Sequence, residues 1–267
     1  MDLTPNFLVI LTLEAIYVIV QLFVAIFLLF QVKKTKLKNL WFLIAFFLLN
    51  SLEIILIIAG VPYIIFLMMD FLSNIFLLFF TKTTFYRQRK SIFLYLLVIL
   101  IILKVLDFAL KIFYPLSIPQ IYSLNPSEVI YYYFYLIIIS AVILASYPWL
   151  GYSSLRYYKR IFKEPIAPWI KTRYLIVGIS SLIISLNSIF YLLIPVNSMN
   201  FETPTAFLLG VLILTTTLIF SFGNLVAWTM PKWLKRYLAK NYIPSQEEME
   251  YSEEELMELI KKQLKKE

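Results

Sequence analysis

Six charged side chains interrupt stretches that are otherwise apolar: Glu14, Glu53, Asp70, Lys104, Asp107 and Lys111. On insertion scales a charge at mid-bilayer costs at least about 2.5–3.5 kcal/mol, so each one needs a reason. Lys104, Asp107 and Lys111 are spaced three and four apart and share one helix face. That face cannot be turned to lipid along its whole length. With a rise of about 1.5 Å per residue, Glu14, Glu53 and Asp107 lie about 10 Å from one end of their stretches. Lys104 lies deeper and calls for a carboxylate partner, with Asp107, Asp70, Glu53 and Glu14 as candidates. Four carboxylates against two lysines leave a surplus of negative charge, which protonation of at least one acid would relieve.

Two readings of these residues stay open. One is an interhelical cluster of ion pairs and hydrogen bonds that only sets packing. The other is a polar pocket, binding a ligand or a proton, in the half of the bilayer these groups share. Asn50, Asn74 and Asn187 join that pocket as candidate side-chain amides, and Ser51, Ser73, Ser140 and Thr215 as further lining.

Other chemistry is scarce. With no histidine there is no Ser-His-Asp triad and no histidine metal site. With no cysteine there is no disulfide, thiolate zinc site or cysteine nucleophile. Five glycines give no Gly-rich phosphate loop, and the motifs of intramembrane proteases and prenyl-diphosphate enzymes do not occur. No catalytic residue, metal or cofactor is expected, and an enzyme is the less favoured class.

The elements that must position these groups follow from composition. Of 267 residues, 61% are hydrophobic and 15% charged, against about 45–50% and about 25% in soluble domains. A bilayer core about 30 Å thick takes about 20 apolar residues per helix. Seven stretches meet that length: 7–31, 40–60, 62–80, 92–114, 129–150, 172–195 and 205–230. Their apolar runs are continuous and lack the alternation of a membrane barrel. The expected fold is an all-α seven-helix bundle over 1–230, followed by a tail over 231–267.

Orientation follows from the 24 lysines and arginines. Apart from Lys104 and Lys111, all fall in 32–39, 81–91, 151–173 or after residue 231. With seven spans, every basic loop lies on one side. The positive-inside rule then puts the N-terminus outside and the C-terminus in the cytoplasm of a multi-pass cell-membrane protein, its basic loops facing an anionic inner leaflet. The net charge of +8 is therefore an orientation code, and no nucleic-acid partner is expected. The first residues lack the basic stretch of a secretory signal, so the first span reads as a retained helix.

The loop 151–171 is expected to hold a short amphipathic helix and a return fixed by Pro165 and Pro168. Pro148 and Gly223 are candidate kinks in spans five and seven. Trp233, Leu234, Tyr237 and Leu238 share a face suited to the membrane interface. In the distal tail, Ser252 and Glu255 form a capping box ahead of Leu256, Leu259, Ile260 and Leu264, predicting a short amphipathic helix. Segments 151–171 and 245–267 are candidate contacts for a cytoplasmic protein partner, and the oligomeric state stays open. Tyr131, Tyr132, Tyr133 and Tyr135 read as an interfacial aromatic belt. Leu49-Asn50-Ser51 recurs as Leu186-Asn187-Ser188, but the flanking spans do not align and the match reads as chance rather than duplication.

In topology alone the chain resembles microbial rhodopsins and seven-helix receptors. A retinal pigment needs a lysine in its last span, and 205–230 has none, so retinal is not expected. It also resembles PQ-loop sugar transporters in topology, but Pro119-Gln120 falls in the loop after span four, which departs from that family's pattern. Three classes remain: a receptor-like or sensory protein, a secondary transporter or proton-coupled carrier using the buried carboxylates, and a structural or assembly protein. A carrier needs polar groups continuing into the other half, where Ser146 and Asn224 are among the few, and this favours the sensor.

Overall fold

The computed structural model describes residues 5–59, 61, 63–87, 89–113, 126–164, 166–196 and 203–240. Among them the chain is all-helical: α1 Pro5–Thr35, α2 Leu40–Ile58, α3 Tyr63–Phe85, α4 Phe93–Phe113, α5 Pro126–Ile161, α6 Pro168–Ser185, α7 Asn187–Leu192, α8 Pro204–Thr229 and α9 Lys232–Leu238. Four of these helices open on proline, whose fixed φ suits the first turn and whose missing N–H is not needed there. Seven spans are long and apolar enough to cross a membrane, α6 and α7 together making the sixth. The expected seven-helix membrane bundle is what forms. The tail helix over 252–264 and the Pro119-Gln120 pair lie outside the described residues.

The spans follow chain order around a closed ring. Each packs on the next, and α8 returns to α1. A direct contact between α3 and α5 pushes α4 outward. It is the least buried of the seven spans. The ends carrying Lys33–Lys38, Lys82–Lys90, Lys159–Lys171 and Lys232–Lys240 define one face of the bundle, called here the basic face.

The half nearer the basic face is glued by small residues and aromatics. A Cβ on Gly178 would stand 2.6 Å from Leu155 Cγ, one on Gly151 2.9 Å from Leu182 Cδ2, and one on Gly223 2.7 Å from Ser180 Cβ. These close approaches bring α5, α6 and α8 together, as small residues do where lipid supplies no hydrophobic drive. Around them Phe46, Phe47, Phe80, Phe220, Tyr174 and Trp228 are almost fully buried. Phe46 meets Phe220 edge-on at 6.0 Å and Tyr147 at 6.3 Å, and Phe80 meets Trp228 at 5.6 Å.

Several expectations are corrected. The 151–171 segment holds no separate helix, because α5 runs on unbroken to Ile161. Leu150, Ser153, Ser154, Tyr157 and Ile161 continue one buried stripe at helical spacing, so packing on α6 carries the helix past the span. At Gly223, the candidate kink, α8 makes its close contact with α6 and continues to Thr229, ending at Met230 with φ 39°. The irregularity falls instead in span six. Leu186 N bonds Ile183 O at 3.1 Å and Ile189 N bonds Leu186 O at 2.9 Å, a tightened turn separating α6 from α7. Just before it the hydroxyls of Ser181 and Ser185 donate to Val177 O and Ser181 O, a back-bonding that bends helices.

Arg173 is the largest departure. Its position read as a loop charge, but α6 already starts at Pro168 and Arg173 is fully buried. Its Nε donates to Ala227 O at 3.0 Å, and its guanidinium sits 5.1 Å from the Trp228 ring centroid. It thus serves the last turn of α8, where carbonyls lack helical partners and the dipole favours a cation.

Candidate functional site

The half opposite the basic face collects the charges. On α3, Asp70 is held from its own helix: Asn74 Nδ2 donates to its carbonyl at 2.9 Å and to its Oδ1 at 2.8 Å, and Ser73 Oγ donates to the carbonyl at 2.8 Å. Across the interface, Lys104 of α4 pairs with Asp70 Oδ2. Asp107, one turn along α4 and only 3% exposed, lies within electrostatic reach of both. Glu53 of α2 reaches Lys104 in the same way.

Four tyrosines complete the group. Tyr17 of α1 and Tyr147 of α5 each interact electrostatically with Asp70 and Glu53. Tyr135 of α5 interacts with Asp107, Asp70 and Glu53. Tyr191 of α7 interacts with Glu53, Asp70 and Glu14. The five predicted charges whose side chains are described therefore belong to one connected cluster, fed by six helices. The Lys111 side chain lies outside the described residues. Tyr135, Tyr147 and Tyr191 are half-buried.

Tyr147 stands between this cluster and the aromatic core. Its ring packs edge-on against Phe220 at 5.3 Å and against Phe46, while Phe46 and Phe47 stand 5.1 Å apart. Below it the aromatic core fills the bundle.

The predicted amides divide. Asn74 is a positioning residue for Asp70. Asn50 is half-buried and donates to Phe46 O in its own helix. Asn187 belongs to a separate clamp: its Nδ2 donates to Thr217 Oγ1 at 3.1 Å and to Ile213 O, and its Oδ1 accepts from Thr216 at 2.5 Å. The clamp ties α7, just past the tightened turn, to α8. Asn50 and Asn187, the centres of the repeated triplet, thus make unlike contacts. Ser51, Ser73 and Ser140 are buried, and Ser140 Oγ donates to Ser188 O at 2.7 Å. Thr215 is exposed, and its neighbour Thr216 is the buried one.

No protein-family model, curated protein or solved structure matches the chain. The site's chemistry must therefore be read from its own atoms. Among the described residues no three acids gather closely enough to hold a metal ion.

Sequence reasoning missed the tyrosines. Tyr135 reads from sequence as part of an aromatic belt, and Tyr17, Tyr147 and Tyr191 as part of no site. The available signal was spacing: Glu14, Tyr17 and Gln21 follow one another by three and four on α1 and share a face. It also undercounted polar groups toward the basic face. Gln21, Ser180, Ser181 and Ser221 are buried there beside Ser146 and Asn224.

Proposed function

We propose that this chain is a receptor-like, sensory membrane protein. It binds a small polar ligand in a cleft formed among Glu14, Glu53, Asp70, Lys104, Asp107 and the tyrosines. The observation that carries this reading is the asymmetry of the bundle. Charged and phenolic groups from six helices converge in one half, and a packed aromatic floor closes the other. The orientation code of the basic loops would turn the cleft outward. Occupancy would be read at the basic face, where α5 projects beyond the span and α9 follows α8.

A carrier is the second reading, favoured by one observation. Buried polar atoms continue below the floor: Gln21 Oε1, Ser146 Oγ and Asn224 Oδ1 have no hydrogen-bond partner among the described residues. Such groups are costly when dry and suit hydrated passages. A flux assay separates the two. The chain is reconstituted in liposomes loaded with a pH-sensitive dye and given a pH step. The sensor reading expects no flux above empty liposomes. Flux that disappears in Asp70→Asn or Glu53→Gln would replace it with the carrier.

A further inference from the structure

We propose that the basic face is covered by the chain's own acidic segment, residues 247–258, docked on the projecting end of α5 and the turn between α3 and α4. This docking is independent of whatever the opposite half binds. The surface is built from two elements. Past Leu150, the exposed Arg156, Lys159, Arg160 and Lys163 follow one another at helical spacing and form a basic stripe. Tyr86, which opens the turn before α4, accepts from Ser153 Oγ at 3.1 Å and stacks on Trp149 at 5.7 Å. Ser153 lies one turn before Arg156, so this contact brings the exposed Arg87, Arg89 and Lys90 beside the stripe.

The charge of this face is unbalanced. Across 32–40, 81–91, 151–173 and 231–240 the sequence has 18 lysines and arginines, and Glu164 is the one acid. The complement comes later in the chain. Residues 247–258 carry seven glutamates and no lysine or arginine. They lie outside the described residues, but the point from which they start is placed. In α9, Lys235 Nζ sits 5.9 Å from the Trp169 ring centroid, in the first turn of α6. Lys171 of the same helix donates to Phe162 O at 2.9 Å and to Glu164 O at 2.6 Å, fastening the end of α5 alongside. From Lys240, the six residues 241–246 reach about 20 Å when extended. A short tether also gives the segment an effective concentration of about millimolar. Phe162, 57% exposed and edge-on to Tyr158 at 5.6 Å, offers a ring to the Met249, Leu256 and Met257 side chains set among the glutamates.

Depth favours a peptide over a lipid headgroup. Lys159 stands about 14 Å past Leu150, where the apolar run ends, at about 1.5 Å per residue. The headgroup layer on each side is only about 5–8 Å thick.

The chain contains no cysteine, so an introduced pair reports without background. Phe162→Cys and Met249→Cys are combined in the full chain, with Tyr152→Cys in place of Phe162→Cys should that variant not fold. A short bismaleimide is added in neutral detergent, and the rate of linking within one chain is normalised to single-maleimide labelling of the same thiols. The expected rate is at least about tenfold higher at low salt than at about 1 M, where the Debye length is about 3 Å. Adding Glu247→Lys, Glu248→Lys and Glu250→Lys should abolish that advantage. Adding Lys159→Glu, Arg160→Glu and Lys163→Glu to the same chain should restore it, which a misfolded chain would not do. A rate indifferent to salt and to charge reversal overturns the proposal. So does a link that forms between differently tagged copies, which assigns the face to a second chain. Loss of the link in phosphatidylserine vesicles, but not in phosphatidylcholine vesicles, overturns it in favour of the anionic bilayer.

Discussion

Replacing Lys104 by methionine tests whether the charged cluster is a working part of the bundle. Methionine keeps the length and apolar stem of lysine and deletes only the ammonium. In the parent chain the Lys104 side chain is 9% exposed and its ammonium pairs with Asp70, whose side chain is 27% exposed. Removing one partner of a buried pair costs about 3–5 kcal/mol, because the other charge is left in low dielectric. Asp70 keeps its bond from Asn74 and some access to water, which puts the expected loss near the lower limit, at about 3 kcal/mol. For a chain of this size about 1 kcal/mol moves the midpoint by roughly 2–4 °C, so melting should fall by about 6–12 °C. A neutral interhelical hydrogen bond within a membrane averages only about 0.6 kcal/mol, so the magnitude separates the two kinds of contact. Melting followed by far-ultraviolet circular dichroism in detergent is sufficient. Asp70→Leu alone should cost less, because Lys104 still has Asp107 one turn away on α4. The double variant Asp70→Leu with Lys104→Met should melt above Lys104→Met alone. If Lys104→Met melts within about 2 °C of the parent, under the 1 kcal/mol scale above, or the double variant melts below both singles, the pair does not hold α4 and the reasoning fails.

Four further outcomes follow from the packing. Gly178→Ala should lower the melting midpoint by an amount equivalent to about 1–3 kcal/mol through overpacking, with Leu155→Ala partly restoring it in the same chain. Asn187→Val should cost about 1–2 kcal/mol by opening the α7–α8 clamp, and adding Thr216→Val should cost little more, because the partner is already lost. Arg173→Lys should be nearly as destabilising in thermal melts as Arg173→Met, since an ammonium has no planar face to stack on Trp228. Tyr147→Phe should melt within about 1 kcal/mol of the parent, whereas Tyr147→Ala should lose about 3–5 kcal/mol by opening the aromatic floor.

The spans were legible because membrane crossing is a one-dimensional constraint. Apolar length and the grouping of basic residues suffice to count helices, and each of the seven stretches contains the greater part of a helix. What escaped depends on partners that no local window contains. Past Leu150 the chain turns polar, so the sequence pattern ends span five there, just before Gly151. That glycine is where α6 comes close, and the stripe through Ser154 and Tyr157 keeps α5 helical against it. Arg173 looked like one more anchor in a basic loop, because only the position of the α8 end makes it a buried cap. The acids and Lys104 were found from sequence, as charges in apolar runs stand out. The tyrosines were not, since tyrosine is ordinary near membrane interfaces and only the fold turns Tyr17, Tyr147 and Tyr191 inward.

The two halves of the bundle are held by different forces. Toward the basic face, glycine contacts and interlocked rings join α5, α6 and α8 at backbone distance, and Arg173 fastens α6 to the end of α8. Close-packed interiors of this kind resist deformation. In the other half the helices meet through side chains, and α4 is attached mainly to α3 and α5, with the Asp70–Lys104 pair at one of those seams. Loss of the Asp70–Lys104 contact would weaken that seam while leaving the packed half intact. Movement would then begin at α4 and pass along α3 to the turn before α4, where Lys82 Nζ donates to Arg89 O at 2.9 Å on the basic face. A rigid half below a charge-held half needs no long relay, because the same α3 helix carries Asp70 at one level and Lys82 at the other.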